Sequence, residues 1–132
     1  MRVLSGSSAI GLGPLPTSAA AARGFVRSSL DDLDVPEPPL EDAVLMTSEL
    51  VTNALLHARG EIEIRLDSDG HRVRIEVRDR NSRVPVFSAV PVDATSGRGL
   101  FLVEKLAEDW GVDSRTDGKA VWFEVQVDQA AG

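Results

Sequence analysis

Two runs of strict alternation stand out in the middle of the chain. Ile62, Ile64 and Leu66 and then Val73, Ile75 and Val77 are set apart by "DSDG". Period two marks strands with one buried face, and a turn of Asp-Gly type between two such runs is a β-hairpin pattern. Upstream the period becomes helical. Ala19, Ala22, Phe25, Val26 and Leu30 form one stripe, which predicts a helix capped by Thr17 or Ser18 and running to about Leu33. Pro36, Pro38 and Pro39 break it, and a second helix is predicted from near Leu40 to about His57. Residues 1–16 are small, weakly patterned and punctuated by Gly and Pro, which suits an N-terminal arm or an edge strand around Val3–Leu4 or Ala9–Leu12.

Beyond the hairpin, residues 80–96 have no defensible period and carry two prolines, a loop of the length that usually serves function. A third helix is predicted after Gly97 and Gly99, with Leu100, Val103, Leu106 and Ala107 apolar and Gly111 as its stop. "VDSR" and "AVWFEVQV", joined by "TDGK", read as closing strands. The order α, α, β, β, loop, α, β, β implies few parallel crossovers. The fold class expected is an α/β (α+β) two-layer sandwich, its mixed sheet mostly antiparallel, with about three helices on one face.

Composition narrows the function. A chain of 132 residues is the size of one domain. Its net charge of −7 argues against nucleic acid as direct partner, since that affinity comes from clustered Lys and Arg. Cysteine is absent, which removes disulfides and thiolate chemistry. With no apolar run of about 20 residues and no signal-like N-terminus, a cytoplasmic protein without a membrane partner is expected.

The chemistry begins on the second helix. Between Asp42 and Arg59 the one formal charge is Glu49, and Asn53 and His57 follow at spacings of four. Glu49 and Asn53 thus share a stripe one turn apart and offer the carboxylate and amide oxygens that Mg²⁺ accepts beside water and phosphate. A solvent-facing stripe is the competing reading. Asp79, where the hairpin's second strand ends, suits a purine amino group, or is an ordinary turn former. In "SGRGLFLV" a glycine pair opens a helix, where free N–H groups and the helix dipole favour an anion. Glycine there also serves backbone geometry alone, and Arg98 between the pair contacts phosphate or is simply solvated. His57 fits a structural helix end better than a ligand.

Taken together, Glu-x-x-x-Asn on a helix, Asp at a strand end 26 residues after Asn53, a long loop and Gly-x-Gly opening a helix resemble the GHKL ATPase superfamily. The resemblance is closer to the bacterial anti-sigma-factor type of serine/threonine kinase, with its histidine kinase-like ATPase (Bergerat) fold. "ELVTNALLHA" matches the N box, "VRDRNS" the first glycine box, "SGRGLFLV" the second, and "GKAVWFEV" the closing strand. The resemblance implies ATP and Mg²⁺ as cofactors, bound in a domain over residues 17–128 with an ATP lid at 80–99. Asn53 would hold Mg²⁺, Glu49 would be the catalytic base, and Asp79 would take the adenine amino group. Asn81, Gly97, Arg98, Gly99 and Leu100 would complete the nucleotide site. The partners implied are a sigma factor or other protein client and a small antagonist protein with a phosphorylatable serine; members often form homodimers.

Two positions depart from the family pattern. Asn81 stands where the first glycine box has Gly, and Ala120 where a threonine near adenine is common. They motivate a second expectation, a nucleotide-dependent protein-binding module without phosphotransfer. The blandest reading is an interaction domain that binds no nucleotide.

Overall fold

The computed structural model describes residues 2–57, 60–80 and 98–128, the side chains of 57 and 98–100 excepted. Its elements are β1 (Ser5–Leu12), α1 (Ser18–Asp32), α2 (Pro39–His57), β2 (Ile62–Asp69), β3 (Arg72–Asp79), α3 (Arg98–Leu106), β4 (Asp109–Arg115) and β5 (Gly118–Gln126). The strands form one sheet in the order β1-β2-β3-β5-β4, and every neighbouring pair is antiparallel. The expected two-layer α+β arrangement is therefore present, with a sheet that is wholly rather than mostly antiparallel among the described residues.

The alternation in the hairpin translates directly into burial. Ile62, Ile64 and Leu66 of β2 and Val73, Ile75 and Val77 of β3 are buried on the face that meets the helices. β5 adds Val121, Phe123 and Val125, α1 adds Ala22, Val26 and Leu30, and α2 adds Ala43, Met46, Leu50 and Val51. Each large aliphatic or aromatic side chain so buried is worth about 1.5–3 kcal/mol, so the pattern that marks the strands also supplies the energy that holds them. The other face is a polar lattice. There Arg74 and Arg78 hold Glu76 at 3.2 and 3.0 Å, and the Arg74 guanidinium lies 4.0 Å from the centroid of the Trp122 ring.

The N-terminal segment is an edge strand longer than either stretch expected for it, paired to β2 from Ser5↔Asp69 to Leu12↔Ile62. The start of α1 differs from the capping expected. Thr17 has helical angles and makes no capping hydrogen bond, while the Ser18 hydroxyl, one residue on, donates to the Gly13 carbonyl at 2.6 Å. The third helix is shorter than expected. It ends at Leu106, and Gly111 is not its stop but a mid-strand residue of β4 opposite Trp122. A Cβ at Gly111 would lie 2.7 Å from the Trp122 ring, so this glycine makes room for an indole.

At the far end of the sheet, the turn between β2 and β3 is tied to the C-terminal end of β5. Val127 N–H donates to the His71 carbonyl at 2.9 Å, and His71 Nδ1 lies 2.7 Å from Asp128 Oδ2. The hydrogen bond with Asp128, reinforced by its charge, raises the His71 pKa, and the same bond lowers that of Asp128. The histidine contribution is complete below its unfolded value of about 6.5 and is lost as pH rises through the raised folded value. The aspartate contribution is present above about 3.9 and is lost as pH falls through the lowered one. The pair therefore favours the folded state most between those limits, weakly because it is exposed. In Asp128→Asn, the melting temperature at pH 5.5 should fall slightly relative to wild type, and the two proteins should converge by pH 9.

Candidate functional site

α2 explains why an acid and an amide sit in an apolar helix. Leu40, Ala43, Val44, Thr47, Leu50, Val51 and Ala54 are its buried face, at spacings of three and four, and Thr47 satisfies its hydroxyl on the Ala43 carbonyl at 2.8 Å. Glu49 and Asn53 are offset from that face and half-buried. They share an outward stripe with Leu45 and Leu56, both exposed. The two leucines therefore flank the two polar groups, one turn before Glu49 and about one turn after Asn53. Helical periodicity places them there, since Leu45, Glu49, Asn53 and Leu56 follow one another at spacings of four and three.

The same helix packs against α3 and β3, the elements that carry the other expected groups. Arg98, Gly99 and Leu100 form the first turn of α3, as the glycine pair implies. Asn81 and Gly97 lie outside the described residues, as does most of the expected lid. His57 is the last residue of α2, consistent in position with a helix end.

Asp79 is the last residue of β3, and its side chain is only 3% exposed. Directly across from it in β5 stands Lys119, whose side chain is 8% exposed, with Nζ 3.0 Å from Asp79 Oδ1. Ala120 pairs instead with Arg78, on the opposite face of the sheet. The β5 position beside the candidate adenine carboxylate is thus Lys119, and Ala120 has no bearing on a base held there. The signal was available: stepping back by twos from Phe123 through Val121 lands on Lys119.

A cleft of about 310 Å³ opens at this end of the sheet, and Asp79, Lys119, Arg78, Arg80, Arg115 and Asp117 are among its lining residues. Neither Glu49 nor Asn53 lines it. The β3 to β5 contact here is close, since a Cβ at Gly118 would lie 1.9 Å from the Asp79 carbonyl oxygen, and Gly118 has φ +154°.

The profile of the histidine kinase-like ATPase domain matches residues 12–125. The chain belongs to that family. It is 28% identical to the anti-sigma F factor of Bacillus subtilis over 113 residues, 76% of this chain and 77% of that one. Over 116 residues it is 26% identical to the anti-sigma F factor of Anoxybacillus flavithermus, 78% of this chain and 80% of that one. Among solved structures, the RsbU and RsbW domains of a Mycobacterium tuberculosis protein superpose with a TM-score of 0.70 at 21% identity, covering 96% of this chain and 34% of that one. A blue-light-activated histidine kinase of Erythrobacter litoralis gives a TM-score of 0.58 at 23% identity, covering 81% of this chain and 41% of that one. These structural likenesses establish the fold of the histidine kinase-like ATPase domain. This chain spans about a third of the first of those proteins and two-fifths of the second.

Membership in this family implies nucleotide binding, and the donor groups fit it. Among the described residues no group of three or more His, Cys, Asp or Glu could cage a metal ion. One or two side-chain oxygens on a helix, sharing an ion with phosphates and water, suit Mg²⁺, which keeps part of its hydration. Among the described residues, too, no helix is long and apolar enough to cross a membrane.

Proposed function

We propose that this chain is an ATP-binding regulatory protein kinase of the anti-sigma-factor type, a non-specific serine/threonine kinase. It binds a sigma factor or similar client and phosphorylates a serine of a small antagonist protein. The observation that supports this best is the outward stripe of α2, which presents Glu49 and Asn53 one turn apart from a helix packed against both β3 and α3.

In this reading Asn53 holds Mg²⁺ through its side-chain oxygen, and Asp79 accepts the adenine amino group. The first turn of α3, with Arg98, Gly99 and Leu100, meets phosphate through backbone N–H groups, together with Gly97, and Asn81, in the first glycine box, completes the nucleotide site. Glu49 takes the proton from the attacking serine hydroxyl as the bond from the serine oxygen to the γ-phosphorus forms and that from the γ-phosphorus to the β,γ-bridging oxygen breaks, leaving phosphoserine and ADP. Bound Mg²⁺ supplies neutralisation of charge on the phosphates. The anti-sigma F relatives motivate the choice of partners.

Calorimetry tests the nucleotide assignment. Wild type should bind Mg·ADP, and Asn53→Ala should lose the Mg²⁺-dependent part of that affinity, about tenfold or more for a charge-assisted contact. Equal Mg·ADP affinity in wild type and Asn53→Ala would remove Asn53 as the metal ligand.

A further inference from the structure

We propose that Lys119 is a base-reading residue, which with Asp79 forms a donor–acceptor couple for the edge of adenine. The inference rests on the nucleotide reading above and adds to it a second contact on the base, from a different strand.

A lysine and an aspartate with 8% and 3% of their side chains exposed are costly to place, because both charges leave most of their hydration behind. Their mutual bond offsets only part of that cost, and apolar side chains of similar size would often serve stability as well. A charged pair kept at such a place, on a cleft rather than in the sealed core, suggests that it meets a ligand. The core face of β5 makes the contrast, since Val121, Phe123 and Val125 follow Lys119 on the same side and are all apolar.

The geometry determines what the couple can read. Lys119 is a donor without acceptor capacity, and an ionised Asp79 is an acceptor without donor capacity. With Nζ and Oδ1 3.0 Å apart, they present one donor beside one acceptor. Adenine carries the complement on one edge, an amino donor at N6 and a ring acceptor at N1, both bonded to C6. Asp79 accepts from the amino group, and Lys119 donates to N1.

The antiparallel register keeps the two groups together. Asp79 and Lys119 are directly opposed, and the close passage of Gly118 against the Asp79 carbonyl holds the strand ends in that alignment. Lysine here is therefore a specificity residue, set directly across from Asp79 on the helix-facing side of the sheet.

The test compares ADP with 1-deaza-ADP, which keeps the amino group and replaces N1 by C–H, using calorimetry of the full chain with Mg²⁺. Wild type should bind ADP about tenfold or more tightly than 1-deaza-ADP, the effect of one charge-assisted hydrogen bond. Lys119→Met, shown to be folded by circular dichroism, should bind the two alike. Equal affinities in wild type overturn the proposal even if Lys119→Met does not fold, and so does discrimination that persists in Lys119→Met. Binding of neither ligand by wild type overturns the nucleotide reading itself, and this assignment with it.

Discussion

Glu49→Ala should lower phosphotransfer to a serine-bearing antagonist by about 10²–10⁴-fold, the usual contribution of a positioned general base, while Mg·ADP affinity is unchanged. The separation is expected because Glu49 is half-buried on the outward stripe of α2, away from the face formed by Ala43, Thr47, Leu50 and Val51. Removing it deletes a proton acceptor without opening a cavity in the core. Single-turnover transfer of labelled γ-phosphate measures the first quantity and calorimetry the second. Transfer at the wild-type rate in Glu49→Ala would refute its role as base. Should wild type bind nucleotide and label no antagonist, the chain is a nucleotide-dependent binding module, and Glu49 has another use.

The second large effect concerns stability. Gly118→Ala should destabilise the fold by about 3–5 kcal/mol, in the range reserved for changes that force a backbone to move. The added Cβ would sit 1.9 Å from the Asp79 carbonyl oxygen and 2.9 Å from Arg80 Cα, so neither neighbour is a side chain that can turn away. The residue also has φ +154°, where an L side chain is strained. A urea titration should show the midpoint falling at unchanged slope. A loss below about 1 kcal/mol would mean that β3 and β5 do not approach each other here as closely as described. Since the same junction aligns Asp79 with Lys119, whatever Gly118→Ala protein remains folded should also bind nucleotide more weakly.

Much of the architecture was legible because the signals were local. In the hairpin, period two maps position by position onto burial, and in α2 the spacing of three and four maps onto the packed face. The Glu49–Asn53 stripe was legible for the same reason. Gly111 was misread because a glycine after a helical stretch and a glycine under an aromatic ring look alike along the chain; the ring belongs to Trp122, eleven residues later and across a strand pair. Lys119 was missed for a different reason. The family pattern points to its neighbour Ala120, whereas the parity of Val121 and Phe123 places Lys119 on the helix-facing side. Thr17 illustrates a third limit. It is a good capping residue by type, yet the chain enters α1 through a turn in which Ser18 bonds Gly13.

The two faces of α2 also separate what selection can change. Its inner residues answer to the fold, whereas in the proposed function Glu49 and Asn53, half-buried on the outer stripe, answer to a ligand. If Glu49 is the base proposed above, one codon on the outer stripe removes or restores phosphotransfer while the packed scaffold persists. Kinase and catalytically silent adaptor are, for such a helix, adjacent points in sequence space.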